Sequence, residues 1–147
     1  MNDNETSFEG GCLCGAVRYV SSAPAVAAAH CHCIDCRKSS GTGHCSHMVV
    51  PADAFSVTGP TTVYSRAAAS GNVVHRHFCP TCGSAVYSTN DGMAGMVFPR
   101  ASSLDDPEVS HPQFVVYASR APSWDHVDPD LPAFAEMPPP EDMPDMG

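Results

Sequence analysis

Cys31-His32-Cys33-Ile34-Asp35-Cys36 sets three thiols within six residues, in a Cys-x-Cys-x-x-Cys spacing. Cys12-Leu13-Cys14 lies upstream and Cys79-Pro80-Thr81-Cys82 downstream, so seven of the eight cysteines fall into three groups and Cys45 stands apart. Each short spacing puts two sulfurs on one tight turn. Zinc takes four ligands in a tetrahedron and thiolates are among its preferred ones. Two such turns from separate strands can complete a tetrahedron, and the chain between Cys14 and Cys79 is long enough to bring them together. Two zinc ions per chain are therefore expected. Cys12, Cys14, Cys79 and Cys82 would close one site, and Cys31, Cys33 and Cys36 would hold the other with one position open.

A closed four-thiolate site supplies folding free energy directly. Three protein ligands with one exchangeable position mark a catalytic zinc. The second cluster leaves another reading open: His30, His32, His44, His47 or Cys45 could complete it as a structural site. A free-thiol or disulfide framework is disfavoured, because the 147 residues show no secretory leader pattern: Met1 to Glu9 is polar and acidic. The cytoplasm is the expected compartment, where clustered cysteines bind metal more often than they cross-link.

Length and composition fit one globular domain, with 43% hydrophobic residues. No apolar run is long enough to span a bilayer. Seven basic and sixteen acidic residues give a net charge of -9, and thiolate ligation makes it more negative. Such a chain repels phosphate backbones and anionic membranes, which argues against nucleic acid and membrane as partners.

Short alternating segments between Gly and Pro turns predict a mainly β fold. Strands are expected over 17–19, 26–30, 44–50, 55–58, 62–65, 73–78, 85–88, 96–98 and 113–118, with one helical turn over 35–39. Gly15 and Gly83 each follow a knuckle cysteine, where positive φ is needed. The expected division is a flexible start over 1–9, a zinc-binding β domain over 10–134, and a Pro-rich acidic tail over 135–147. His32 is expected to face solvent, His75 and His77 to share a solvated face, and Cys45 to be a small buried hydrophobe. Trp124 is expected in the core or a pocket wall, and the tail residues Met137, Met143 and Met146 are expected to have no role. Near the open site, His32, His44, Arg37 and Lys38 are the candidates for meeting substrate.

The chain resembles the family of glutathione-dependent formaldehyde-activating enzymes, shared with centromere protein V. The resemblance rests on Gly11-Cys12-Leu13-Cys14-Gly15, on the run from Cys31 through Cys36-Arg37-Lys38-Ser39-Ser40-Gly41, and on Phe78-Cys79-Pro80-Thr81-Cys82-Gly83. Leu104-Asp105-Asp106-Pro107, His111-Pro112-Gln113, Trp124, Leu131-Pro132 and Phe134 extend it to nearly the whole chain. It implies a β-tent fold, like that of a small zinc protein that releases nucleotide from Rab GTPases. It implies structural zinc on Cys12, Cys14, Cys79 and Cys82, and catalytic zinc on Cys31, Cys33 and Cys36. The implied activity is carbon–sulfur lyase chemistry, joining the thiol of glutathione to formaldehyde. Two other functions are compatible with the cysteines: a non-catalytic zinc module for protein interaction, and a thiol redox or metal-buffer protein.

Overall fold

The computed structural model describes residues 7–139. Ten strands and one α-helix follow in order: β1 (Phe8–Gly11), β2 (Arg18–Ser21), β3 (Ala27–Cys31), α1 (Ile34–Ser40), β4 (Cys45–Pro51), β5 (Phe55–Thr58), β6 (Thr62–Ala67), β7 (Val73–Phe78), β8 (Ala85–Asn90), β9 (Met96–Pro99) and β10 (Phe114–Val116). The mainly β expectation holds. A three-stranded sheet runs β1-β2-β5, and a seven-stranded sheet runs β10-β3-β4-β9-β8-β7-β6. All pairings between named strands are antiparallel except one: β10 lies parallel to β3, with Val116 opposite Cys31. No local pattern announces that pairing, because β10 returns to β3 from more than eighty residues away.

Two boundaries differ from expectation for physical reasons. Strand β1 takes in Phe8 and Glu9, inside the segment expected to be a flexible start, because the Phe8 ring is buried and its backbone pairs with Ser21. The helical turn extends to seven residues. The Cys33 side chain accepts from the Cys36 backbone N–H as N-cap, and Gly41 closes the other end in the left-handed region. A helix this short is unstable alone; burial of Cys36 on its inner face holds it.

The strands on either side of Gly59-Pro60 do not pair with each other. β5 joins β2, while β6 joins β7, so this turn is the corner where the chain passes between sheets. Val17, Tyr19, Met48, Val50, Val86 and Cys79 fill the space between the sheets with at most 1% exposure. Tyr19 packs against Phe8 and Phe55, and its hydroxyl meets Ser103 Oγ at 2.6 Å. Truncating Met48 there to Ala should cost about 2–5 kcal/mol.

The expected solvated face of β7 is half-buried. His77 stacks on Tyr87 at 4.3 Å, and His75 lies between Ser65 and Asp91. Trp124 is exposed, contrary to expectation, while Cys45 is buried as expected. Among the described residues, no helix is long and apolar enough to cross a membrane. Residues 140–147, including Met143 and Met146, lie outside the described residues.

Candidate metal centres

All eight cysteines are unpaired as disulfides. Seven form two clusters, and the sulfurs of each lie within 4.8 Å of one another: Cys12, Cys14, Cys79 and Cys82 in one, Cys31, Cys33 and Cys36 in the other. The donor sets fit a thiophilic cation such as zinc, four soft ligands in the first and three in the second.

The first cluster joins two β-knuckles. Cys12 and Cys14 follow β1, and Cys79 to Cys82 form the turn between β7 and β8. Gly15 and Gly83 have φ of +84° and +76°, letting each knuckle fold its amides back on the sulfurs. Val17 N–H donates to Cys12 Sγ at 3.2 Å, and Thr81 N–H to Cys79 Sγ at 3.3 Å. Ser84 ties the turns together: its Oγ accepts from Leu13 N–H at 3.1 Å and meets Cys82 Sγ at 3.2 Å. Hydrogen bonding from Ser84 holds the Cys82 thiol down to about 5. Cys14 and Cys79 sulfurs are 3.7 Å apart across the two turns.

The second cluster is built from a strand end and a helix start. Cys31 closes β3, Cys33 caps α1, and Cys36 lies in its first turn. The crowded thiols share charge unequally. Hydrogen bonds from Cys31 and then Cys36 hold the Cys33 thiol far below its usual range, while Cys31 is pushed up to about 12, chiefly by its bond to Cys33. Cys36 is also pushed up, by Cys31 first.

His47, on β4, places Nε2 3.3 Å from Cys36 Sγ and Nδ1 3.7 Å from Cys45 Sγ. Burial drives its pKa down to about 3, so the ring is neutral. The sequence offers five histidine and cysteine candidates near this cluster; only the antiparallel register of β3 and β4 brings this one to Cys36.

The second cluster opens into a cleft of about 600 Å³. Cys31, Cys33, Cys36 and His47 line one side, Phe98, Phe114 and Val116 supply apolar wall, and Arg66, Arg76 and Arg120 bring positive charge. None of the first cluster's cysteines lines it. Tyr117 also faces the cleft; it has φ of +55°, and Arg120 stacks on its ring at 5.1 Å. Met137, expected to have no role, is another wall residue.

The four residues expected near substrate are placed elsewhere. Arg37 and Lys38 do not line the cleft, and Lys38 is exposed. His32 is buried at 1% exposure rather than solvated. Its Nδ1 lies 3.1 Å from the Gly43 carbonyl and 3.3 Å from Asp125 Oδ2. His44 Nδ1 lies 2.7 Å from the same carboxylate oxygen. Asp125 thus clamps the ligand loop to the Gly41–Cys45 turn from behind. Asp125 was not singled out from sequence: it is 93 residues from His32 in the chain, and nothing local couples them.

Fold and clusters together define a mainly β protein with two cysteine centres able to hold metal, one joining two knuckle turns and one in a cleft. The profile of the glutathione-dependent formaldehyde-activating enzyme family matches residues 7–120, and the chain belongs to that family. A Halomonas elongata protein that carries a provisional glutathione-dependent formaldehyde-activating enzyme name is 33% identical over 124 residues, covering 80% of this chain and 78% of that protein. The crystal structure of a Rhodobacter sphaeroides protein superposes with a TM-score of 0.55 at 17% identity, over 86% of this chain and 98% of that one. That likeness concerns the fold.

Proposed function

We propose that the chain is a zinc-dependent carbon–sulfur lyase-type enzyme that joins a small anionic thiol, of the glutathione kind, to formaldehyde or a related electrophile, or runs the reverse. One observation carries this: among the described residues the three-thiol cluster lines a cleft of substrate size, and none of the four-thiol cluster's cysteines lines it. Cys12, Cys14, Cys79 and Cys82 would hold a structural zinc, and Cys31, Cys33 and Cys36 the catalytic one. Zinc held by three thiolates would supply a thiol made acidic at neutral pH and a Lewis acid for a carbonyl. In the forward direction the S–H bond breaks, a C–S bond forms at the aldehyde carbon, and the proton ends on the former carbonyl oxygen. The product is a hemithioacetal.

The protein's own groups suit that chemistry. Three thiolates around one dication would leave a net charge of -1, and Arg76 on the cleft wall offsets it, while Arg66 and Arg120 there are paired with Asp35 at 3.7 Å and Glu136 at 3.8 Å. Arg76 also attracts a carboxylate-bearing thiol into a chain that is acidic overall. The apolar strip from Phe98 to Phe114 and Val116 limits water beside the sulfurs. Seven grouped, unbridged thiols fit a reducing compartment such as the cytoplasm. The proposed organisation is one catalytic domain over 10–134 with short flanking segments.

A second reading has an observation behind it. His47 Nε2, 3.3 Å from Cys36 Sγ, could serve as a fourth ligand and close the second site, making the protein a zinc module for protein contacts. One experiment separates the two. Reduced protein should hold about two zinc ions, and His47→Ala should keep both while hemithioacetal formation, followed by NMR with excess thiol and formaldehyde, is measured against the uncatalysed rate. Loss of one zinc in His47→Ala together with no acceleration by the parent protein would favour the closed module.

A further inference from the structure

Arg100 follows β9 and is only 3% exposed. A buried guanidinium costs several kcal/mol of desolvation unless charge or hydrogen bonds compensate it. Its Nη2 donates to Ser39 Oγ at 3.1 Å, and its Nε has no partner. Among the described residues no carboxylate lies within ion-pair distance of Arg100 or of Arg76. Both arginines line a second, smaller cavity of about 220 Å³, together with Ser39, Tyr64, His77 and Tyr87. Arg76 also lines the large cleft and so borders both. Ser39 is one helical turn, about 5 Å, beyond Cys36.

We propose that Arg100 and Arg76, with Ser39 beside them, form a carboxylate-binding subsite that receives the acid group of the thiol substrate while its sulfur lies at the Cys31–Cys33–Cys36 cluster. The placement rests on the reading of that cluster as the reacting centre. It adds the residues that would select an acidic thiol over a neutral one. The cavity holds a group of carboxylate size. Two arginines without protein counter-ions, in a chain with sixteen acidic and seven basic residues, supply the charge. The same charge could be met by a free anion, so the test carries both sources.

The test is calorimetric titration of the zinc-loaded full chain with 3-mercaptopropionate, its neutral amide, propionate and inorganic sulfate. The acid is expected to bind at least tenfold tighter than the amide, and propionate alone to bind weakly and be displaced by the acid. Arg100→Gln and Arg76→Gln should each cut the acid-to-amide preference to less than threefold. Because Arg100 is buried, Arg76→Gln decides the matter if the other variant does not fold. Equal affinity for acid and amide, with no propionate binding, overturns the subsite and leaves the thiol reading intact. Binding of propionate in an arginine-dependent way, with neither thiol gaining from its sulfur, supports the subsite and sinks the thiol reading. Sulfate binding tighter than any carboxylate would assign the cavity to a free inorganic anion and overturn the proposal. So would a loss of zinc in both variants with the acid-to-amide preference intact, since the arginines would then serve only to offset the thiolates.

Discussion

The two cysteine clusters use the same atoms in opposite settings. The four-thiol cluster ties the end of β1 to the β7–β8 turn, and Cys79 within it is part of the core, with no exposed surface. Cys12 and Cys79 receive backbone N–H groups from Val17, Thr81 and Cys82, so thiolate charge there would be spread over fixed dipoles. The three-thiol cluster sits at a strand-to-helix junction and opens to a cleft with arginines around it. The difference teaches that ligand number follows from where the chain can supply a turn. Two knuckles facing each other close a tetrahedron. A single strand–helix corner gives three sulfurs on one side and leaves the other side for something else.

The comparison is broken most severely by exchanging one sulfur in each cluster. Cys79→Ser puts a poor zinc ligand in the core, and because metal binding and folding are coupled there, the variant should be unfolded or aggregated. Cys36→Ser should stay folded, hold about one zinc fewer than the parent protein and lose activity. Melting temperature and zinc content on both variants test this; a folded, active Cys79→Ser beside an unfolded Cys36→Ser would reverse the two assignments.

Acid should separate the clusters next. His47 beside Cys36 is held down to about 3 and His30 to about 4, both by burial, against about 6.5 in an unfolded chain. Below pH 6.5 the unfolded chain takes up protons that the folded one refuses, so stability is complete above neutrality and falls as pH drops toward 4. For His47 this approaches about 2 kcal/mol by pH 5; half-exposed His30 adds less. Among the described residues no histidine is a partner of the four-thiol cluster's sulfurs, so zinc should leave the three-thiol cluster first. Two resolved release phases on a chelator dye, the earlier one absent in Cys36→Ser, are the expected record; release of both ions in one phase would count against it.

A smaller effect should come from behind the second cluster. Asp125→Asn weakens the grip on His32 and His44, and zinc release from the three-thiol site should speed up by about tenfold, the lower end for partners outside the ligand set. Release from the four-thiol site should not change. If both rates rise together, Asp125 stabilises the fold in general rather than that loop. The smallest effect is expected on the surface near the first cluster. Arg18 pairs with Asp105, linking β2 to the loop after β9, but both side chains are more than a third exposed. Arg18→Ala should therefore cost under about 1 kcal/mol and leave both zinc ions in place. A loss above 2 kcal/mol in denaturant melts would show that this link supports the four-thiol cluster.

Much of this organisation was legible in the chain. The strand over Val73–Phe78 has the same bounds in sequence and structure, because its alternation is flanked by Asn72 and by the Cys-Pro knuckle. Strands β3 to β9 were all anticipated to within about three residues at each end. Phe8–Gly11 was missed: Gly-rich and short, it is a strand only because β2 lies beside it. The rim of the cleft was missed for a similar reason. Arg66, Arg76 and Arg120 sit on separate elements, and Arg37 and Lys38, adjacent to Cys36 in sequence, point elsewhere because a helix rotates neighbours by about 100°.

The sequence by itself determined the grouping of seven cysteines, the knuckle turns with their glycines, the mainly β architecture and the family. These depend on spacing within a few residues, where covalent geometry alone places the sulfurs. The tertiary structure decided which groups meet across the chain: His47 beside Cys36, Asp125 behind His32, and β10 parallel to β3. It also decided that four arginines line the two cavities and that the three-thiol cluster faces the larger one. Such contacts depend on sheet register and on the packing of distant segments, and a chain carries no local record of either.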